Sequence, residues 1–417
     1  MLNNKKLLFS FFTILISLLT SLTLITHADA QTQTSGPSCN PYLSTVSTIV
    51  LGERNKLPLK TLQVSLFPQR NKALGLWGSA KAELNYVVGK KDYPLVVLMV
   101  GLGSPSTVGY ARFLMEQLYQ QGFSVVSVPS SFHMSSSVAF SEFMRPGLSS
   151  QDATDLLKIV NIATRKIIDL HRLTSSEQHL IGVSLGGYHA ASILADPATA
   201  DRFEKYVLIN PPLDLSYGMA VLDNLAEGKG NLTEQQKSNI ADQMNPYLTD
   251  SPQSPNAKEV MKVIEKNHFG EKELGFFVGL KMRSSVRDIV FASQQIHDDQ
   301  LLKNSRLAKR FAESHTWKIN DYFARVAWPF YKALEESDQN MPAVDSQLSI
   351  WDNLKKAPRP RDVLILHAKD DFISRPVSLE MLKFLPMNVV LANCGGHVGA
   401  LSYPVYMTPL KEFLSED

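Results

Sequence analysis

Leu180-Ile181-Gly182-Val183-Ser184-Leu185-Gly186-Gly187 is the stretch on which the fold turns. Its apolar run, Leu180 to Val183, reads as a buried strand, and Tyr188 to Leu194 reads as a helix. Ser184 stands at the apex of the sharp turn between them. That is the G-x-S-x-G arrangement, which holds a serine in a strained conformation at a strand-to-helix elbow. Gly182 and Gly186 have a steric reason to be there, because strand and helix approach so closely that a side chain would clash. A glycine-rich turn that merely contains a serine would look the same in isolation, so the rest of the chain decides.

Strands and helices alternate on both sides of the elbow. Leu62 to Phe67 and Ala80 to Val88 read as extended segments. Tyr93 to Val100 is a continuous apolar run, as a strand buried on both faces of a parallel sheet requires, and it stops at Gly101-Leu102-Gly103-Ser104-Pro105. A helix over roughly Gly109 to Gln121, ended by Gly122, leads into a strand from Phe123 to Val128. Asp152 to His171 carries Leu156, Ile159, Val160, Ala163, Ile167 and Leu170 at helical spacing. Tyr206 to Ile209, Val363 to His367 and Asn388 to Leu391 are further strands, with helices over about Pro376 to Phe384 and Tyr403 to Leu414. This alternation predicts an α/β fold with a mostly parallel sheet flanked by helices.

From about Asp214 to Ala357 the pattern changes to helical segments, such as Ala257 to Lys266 and Thr316 to Ala333, with no buried strands between them. Residues 214–357 are therefore read as a helical insertion that caps the site, with extra packing on the sheet edge as the alternative. The sheet domain is expected in two parts, 56–213 and 358–417. Phe276, Phe277, Met282, Trp328, Phe330 and Tyr331 are candidates to line an acyl pocket, or to be plain core.

The 417 residues are 44% hydrophobic and 20% charged, with a formal net charge of +2. That composition suits a soluble globular protein, and the length suits an α/β domain with a large insertion. So small a charge, with no basic run interleaved with aromatics, gives no footing for a nucleic-acid partner. Lys5-Lys6 and the apolar run from Leu7 to Ile25 form a signal-peptide pattern, and His27-Ala28-Asp29-Ala30 supplies small residues for cleavage before Gln31. Residues 1–30 are expected to direct export, to the periplasm or out of the cell. An uncleaved anchor is the rival, since the run almost spans a bilayer, and only then is membrane contact expected. Cys39 follows Gly36-Pro37-Ser38, which lacks the aliphatic residue of a lipoprotein signal. Residues 31–55 are read as a flexible leader, starting from the Ser-, Thr- and Gln-rich stretch Gln31 to Asn40. The two cysteines, Cys39 and Cys394, fit one disulfide or two free thiols. Asn231-Leu232-Thr233 fits a glycosylation triplet, a pattern too short to weigh.

A serine hydroxyl needs a base to take its proton, and the base needs an acid to fix its tautomer. Here Ser184 is followed by an acid at the end of a late strand, and then by His397 after the last strand. In a parallel sheet all three fall at the carboxyl edge. Asp371, four residues after His367, has the spacing of an H-G-x-x-D loop and is favoured over its neighbour Asp370. Asp214, after an earlier strand, is a third and weaker candidate. His133 and His189 lack the glycine-flanked setting of His397 and are read as a loop and a packing residue. The oxyanion donors are expected to be the backbone N–H groups of Leu185 and Leu102. No metal-ligand spacing, P-loop or dinucleotide fingerprint is present, so neither metal nor cofactor is expected.

With these residues in view the chain resembles the α/β-hydrolases, over about Leu95 to Asn210 and Val363 to Leu414. Gly182-Val183-Ser184-Leu185-Gly186-Gly187, Ala368-Lys369-Asp370-Asp371 and Gly395-Gly396-His397-Val398-Gly399 are particularly similar to the YheT-like branch of predicted esterases. That resemblance implies the acid at Asp371 and cofactor-free hydrolysis of carboxylic esters. Two positions depart from it: Val100-Gly101 stands where the family has His-Gly, and Phe372 follows the aspartates where the family has proline. The expectation is an exported serine hydrolase acting on a small-molecule, acyl or lipid-like ester. A peptidase or thioesterase with the same residues, and a non-catalytic binding protein on the same fold, are the alternatives.

Overall fold

The apolar runs become the centre of a single eight-stranded sheet. A computed structural model describes residues 36–49, 51–52, 55–73, 75–76, 80–228, 232–244, 257–297, 300–337 and 343–416. The expected signal segment 1–30 and Asn231 lie outside the described residues. The strands are β1 (Lys60–Val64), β2 (Ala82–Val87), β3 (Leu95–Met99), β4 (Ser124–Val128), β5 (Gln178–Val183), β6 (Lys205–Ile209), β7 (Val363–Ala368) and β8 (Asn388–Ala392). Their spatial order is β1-β2-β4-β3-β5-β6-β7-β8. Only β2 runs against its neighbours, and β3 through β8 pair in parallel. Sheet, helices and site belong to one unit, Ser38–Asp417.

Period-two alternation explains why the central strands are apolar throughout. Leu95, Val97 and Met99 of β3 face a core shared with helices α3 (Ser149–His171) and α4 (Leu185–Ala195). Val96, Leu98 and Val100 face a second core on the other side, shared with α2 (Gly109–Gln121) and α7 (Pro404–Ser415). The sheet is thus a middle layer between two helical layers, the α/β-hydrolase arrangement. Gly122 ends α2 at φ 107°, a left-handed cap that glycine adopts without strain. Helix α3 starts one turn earlier than its apolar spacing indicates, because Ser149, Ser150 and Gln151 form a first turn without an apolar stripe.

Between β6 and β7 the described chain is helical. It includes α5 (Leu215–Glu227), the long α6 (Glu271–His297), and a run from Ile319 to Ser337 interrupted by a π-helical stretch at Phe323–Ala327. Of the six aromatic and methionine residues expected at an acyl pocket, only Met282 lines the cleft at Ser184. Phe276 and Phe277 instead pack with Val46 and Ile264 in a separate apolar cluster, and Tyr331 is buried with Phe132 and Tyr322, where Trp328 and Phe330 also pack.

The stretch 31–55 is not simply a flexible leader. Pro41–Ile49 forms helix α1, packed against α6 and α2, with Val46 only 1% exposed. Cys39 and Cys394 are joined in a disulfide. A helix rich in serine and threonine looks solvent-facing by composition, yet Ser44, Thr45 and Thr48 are buried here with their hydroxyls bonded to backbone carbonyls.

The elbow tolerates no side chain at its glycines. A Cβ at Gly186 would lie 2.3 Å from the Met99 carbonyl oxygen, and one at Gly182 would lie 2.3 Å from the Gly186 oxygen. Gly186→Ala should therefore destabilise by about 3 kcal/mol or more, read by urea unfolding. A second expectation concerns His179 on β5, which burial, reinforced by nearby Lys205, lowers to about 4. An unfolded histidine titrates near about 6.5. The stability gained by keeping His179 neutral is complete above that value and is lost as pH falls toward 4, by up to about 1.4 kcal/mol per pH unit. Unfolding midpoints compared at pH 7 and pH 5 should converge in His179→Asn.

Candidate active site

Because β3, β5, β6, β7 and β8 end level with one another, the residues that follow them share one sheet edge. Ser184 follows β5 with φ 55° and ψ −122°, a strained conformation for a non-glycine residue. It is pinned there by its N–H donating to Ile209 O at 2.8 Å and by its carbonyl accepting from Gly187 and Tyr188 N–H. Its Oγ lies 2.8 Å from His397 Nε2, and His397 Nδ1 lies 3.0 Å from Asp371 Oδ2. With the proton on Nδ1, that nitrogen donates to the carboxylate and leaves Nε2 to accept from the serine hydroxyl.

The two neighbouring aspartates separate cleanly. Asp371 reaches His397, whereas Asp370 accepts the N–H groups of Gly395 and Gly396 at 3.1 and 2.8 Å and ties down the turn before the histidine. Asp214 caps helix α5 by accepting Tyr217 N–H at 2.8 Å and does not join the group. Burial pushes the Asp371 carboxyl up, but His397, His367 and the Asn210 amide outweigh it and hold the group below the usual carboxylate range. Asp371 is 2% exposed, so without those partners a charge there would be costly.

Three further residues complete the network, and the sequence reading assigned no role to them. Asn210, directly after β6, donates its Nδ2 to Asp371 Oδ2 at 2.9 Å and accepts the Tyr406 hydroxyl at 3.0 Å. His367 lies buried beneath Asp371, its Nε2 3.1 Å from Pro211 O, and burial lowers its pKa. Position is the signal that could have found Asn210: it ends a strand on the same edge as Ser184.

The His397 loop is held from outside the sheet. Its N–H donates to Thr45 Oγ1 of α1 at 3.0 Å, and the disulfide anchors Cys394 three residues earlier. A Cβ at Gly396 would lie 2.1 Å from the Pro41 oxygen, so α1 and the loop touch backbone to backbone. Tyr42 also packs on Phe372, beside the acid, with ring centroids 4.9 Å apart.

The serine opens on a cleft of about 780 Å³, counting the part open to solvent, with walls that include Leu102, Phe132, Met219, Val286 and Phe323. Leu102 and Leu185 both line it beside Ser184. Leu185 is the first residue of α4, so its N–H has no acceptor within the helix. In the Gly101-Leu102-Gly103 turn, Gly101 N–H donates to the Tyr110 hydroxyl and Gly103 N–H to Ser130 Oγ. Leu102 N–H is the amide those two partners leave over. His133 pairs with Ser135 away from the cleft, while His189 is buried and lines the cleft wall. Among the described residues no group of three or more His, Cys, Asp or Glu side chains is arranged to hold a metal.

No family model matches the chain, and no curated protein matches it. Solved structures do, at low identity. An acylaminoacyl peptidase from Pyrococcus horikoshii is 11% identical with a TM-score of 0.41, the match covering 87% of this chain and 41% of that one. This chain thus spans about two fifths of the peptidase's length. An esterase from Pyrococcus furiosus is 11% identical with a TM-score of 0.42, covering 88% and 96% of the two chains. A hydrolase from Pseudomonas aeruginosa is 15% identical with a TM-score of 0.42, covering 87% and 100%. The strand order and the reversed β2 carry the fold assignment; the activities named in these matches belong to those proteins.

Removing the anchor of the His397 loop should be measurable. The double variant Cys39→Ser, Cys394→Ser should lose about 2–5 kcal/mol of stability. Thermal unfolding of the unmodified chain should drop on adding reductant, while that of the double variant should not move. Thr45→Val, which leaves a buried N–H without its acceptor, should cost about 1–3 kcal/mol.

Proposed function

We propose that the chain is a serine hydrolase that cleaves carboxylic esters through an acyl-enzyme. The observation that carries this reading is the continuous relay from Ser184 Oγ to His397 Nε2 at 2.8 Å and from His397 Nδ1 to Asp371 Oδ2 at 3.0 Å, at the wall of an apolar cleft. His397 takes the Ser184 proton as Oγ attacks the ester carbonyl, and Asp371 stabilises the imidazolium that forms. The N–H groups of Leu102 and Leu185 receive the oxyanion. Collapse of the tetrahedral intermediate breaks the bond to the alcohol, which leaves with the proton from His397. Water then repeats the sequence on the acyl-serine and releases the acid.

The cleft walls support an apolar acyl group as the recognised part. The reading extends to export: the leader pattern at residues 1–30 and a Cys39–Cys394 disulfide both suit an oxidising compartment, the periplasm or the exterior. Sequencing the N-terminus of the protein isolated from its producing cells tests this, with a start at Gln31 expected. A chain still beginning at Met1 would favour the anchored alternative.

Turnover of p-nitrophenyl esters of graded chain length tests the chemistry. Ser184→Ala and His397→Ala should each lower kcat by on the order of 10⁶. Asp371→Asn should lower it by about 10⁴, and Asp370→Asn by less than about tenfold. Full activity in Ser184→Ala would sink the proposal, and a large loss in Asp370→Asn with little in Asp371→Asn would reassign the acid. Amide and thioester substrates in the same assay separate esterase from peptidase or thioesterase action.

A further inference from the structure

The cleft is apolar along most of its wall but not all of it. One part is formed by Gly147, Ser149, Asp152 and His189, and this part belongs to the same cavity as Ser184. Asp152 is 2% exposed and His189 3% exposed, so neither is a surface residue that happens to reach inward. Asp152 Oδ2 accepts Gly147 N–H at 3.0 Å and the Ser131 hydroxyl at 3.4 Å. Among the described residues its other oxygen, Oδ1, has no hydrogen-bond partner, and the little exposure that Asp152 keeps is in the cleft wall. It therefore presents to the cleft.

The side chains that contact Asp152, Ser131 and His189, are uncharged. His189 Nδ1 lies 3.3 Å from Ser149 Oγ, and its Nε2 lies 3.3 Å from Ser131 Oγ and 3.9 Å from Asp152 Oδ2. Burial lowers His189 to about 3, so it carries no charge at neutral pH. Burial, with Asp155 nearby, raises the Asp152 carboxyl well above its usual range. A buried carboxyl with a free oxygen is costly unless something hydrogen-bonds to it.

We propose that Asp152, supported by Ser131, Ser149 and His189, forms a polar subsite within the acyl cleft and recognises a hydroxyl group carried on the acyl chain of the substrate. A hydroxyl both donates and accepts, so it satisfies Oδ1 whether the carboxyl holds its proton or not. A ketone only accepts and an ammonium only donates, so each fits one protonation state alone. The substrate class that follows is the hydroxyacyl ester, with Ser184 at the ester and Asp152 at the hydroxyl. The inference rests on the ester-hydrolase reading of Ser184 and adds the identity of the acyl group.

The experiment compares p-nitrophenyl esters of four- to ten-carbon acids, each as the plain, ω-hydroxy and ω-amino compound, on the unmodified chain and on Asp152→Ala and Asp152→Asn. At one chain length the hydroxy ester should exceed the plain ester by about tenfold in kcat/KM, a difference that one well-made buried hydrogen bond supplies. The preference should disappear in Asp152→Ala and shrink in Asp152→Asn, whose amide keeps the bond to Gly147 but cannot accept from the substrate. In each variant kcat/KM on the plain ester is the reference against which the preference is read. A folded variant that keeps the full hydroxy preference overturns the proposal. So does an unmodified chain that treats hydroxy and plain esters alike, or one that prefers the amino ester. Methyl 6-hydroxyhexanoate and methyl hexanoate are also titrated calorimetrically onto the Ser184→Ala chain. Tighter binding of the hydroxy compound that vanishes when Asp152→Ala is added upholds the subsite even if no ester is turned over, and equal binding overturns it.

Discussion

The close approach of α4 to β3 and β5 is the constraint on which the rest of this structure depends. Two carbonyl groups, of Met99 and Gly186, occupy the places where side chains at 186 and 182 would otherwise sit. Only with both glycines present does the chain turn sharply enough to leave Ser184 at φ 55° with its hydroxyl against His397. A conformation of that kind costs about 1–3 kcal/mol. It is offset by the burial of Ile181, Val183, Tyr188 and Ala191 on either side, all fully enclosed. The same device recurs nearby. Asn210 at φ 45° and Val398 at φ 71° are also non-glycine residues with positive φ, one directly bonded to Asp371 and the other directly following His397. Three of the seven non-glycine residues with positive φ among the described residues thus lie where side chains are aimed across the sheet edge.

Burying a carboxylate is the second constraint. Asp371 has no access to water, and four groups take its place: the His397 ring, the Asn210 amide, the Ile373 N–H and the more distant His367. Asn210 is in turn oriented by Tyr406 from α7, so the last helix of the chain contributes to the geometry of an acid placed well before it. A network in which each polar group has a partner fixes the histidine ring more firmly than the single Asp–His contact would. Asp370 sits one residue away and faces the backbone of the Gly395-Gly396 turn instead, which shows how finely the loop conformation separates two identical side chains.

Much of this was legible in the sequence, for a physical reason. Central strands of a parallel sheet are buried on both faces, so they stand out as uninterrupted apolar runs, and the residue after each run is automatically at the sheet edge. Ser184, His397 and an acid after the late strand could be brought together on that basis, and the four-residue spacing from His367 favoured Asp371 over Asp370. What stayed hidden lacks such a pattern. Helix α6 buries Leu274 through Gly279 consecutively, so it has no apolar stripe to betray it. Helix α1 buries hydroxyls that a composition count assigns to solvent. The cleft wall is drawn from several helices whose packing angles no local spacing encodes, which is why Val286 and Phe323 line it while Phe276 and Tyr331 do not.

Helix α1 also changes how the site should be regarded as a mechanical object. Ser184 is held by the sheet, and Asp371 by its own turn and Asn210, but His397 lies in a loop with a strained valine after it and two glycines before it. Such a loop has many conformations open to it when unsupported. Its N–H bonds to Thr45, its approach is fixed against Pro41, and Cys394 is covalently joined to Cys39 across a sequence separation of 355 residues. Those contacts remove freedom from the member of the relay whose own loop supports it least. The segment that reads as a polar leader is therefore part of the site's framework, and a chain trimmed past Cys39 would keep the sheet while losing the support that aims the histidine at the serine.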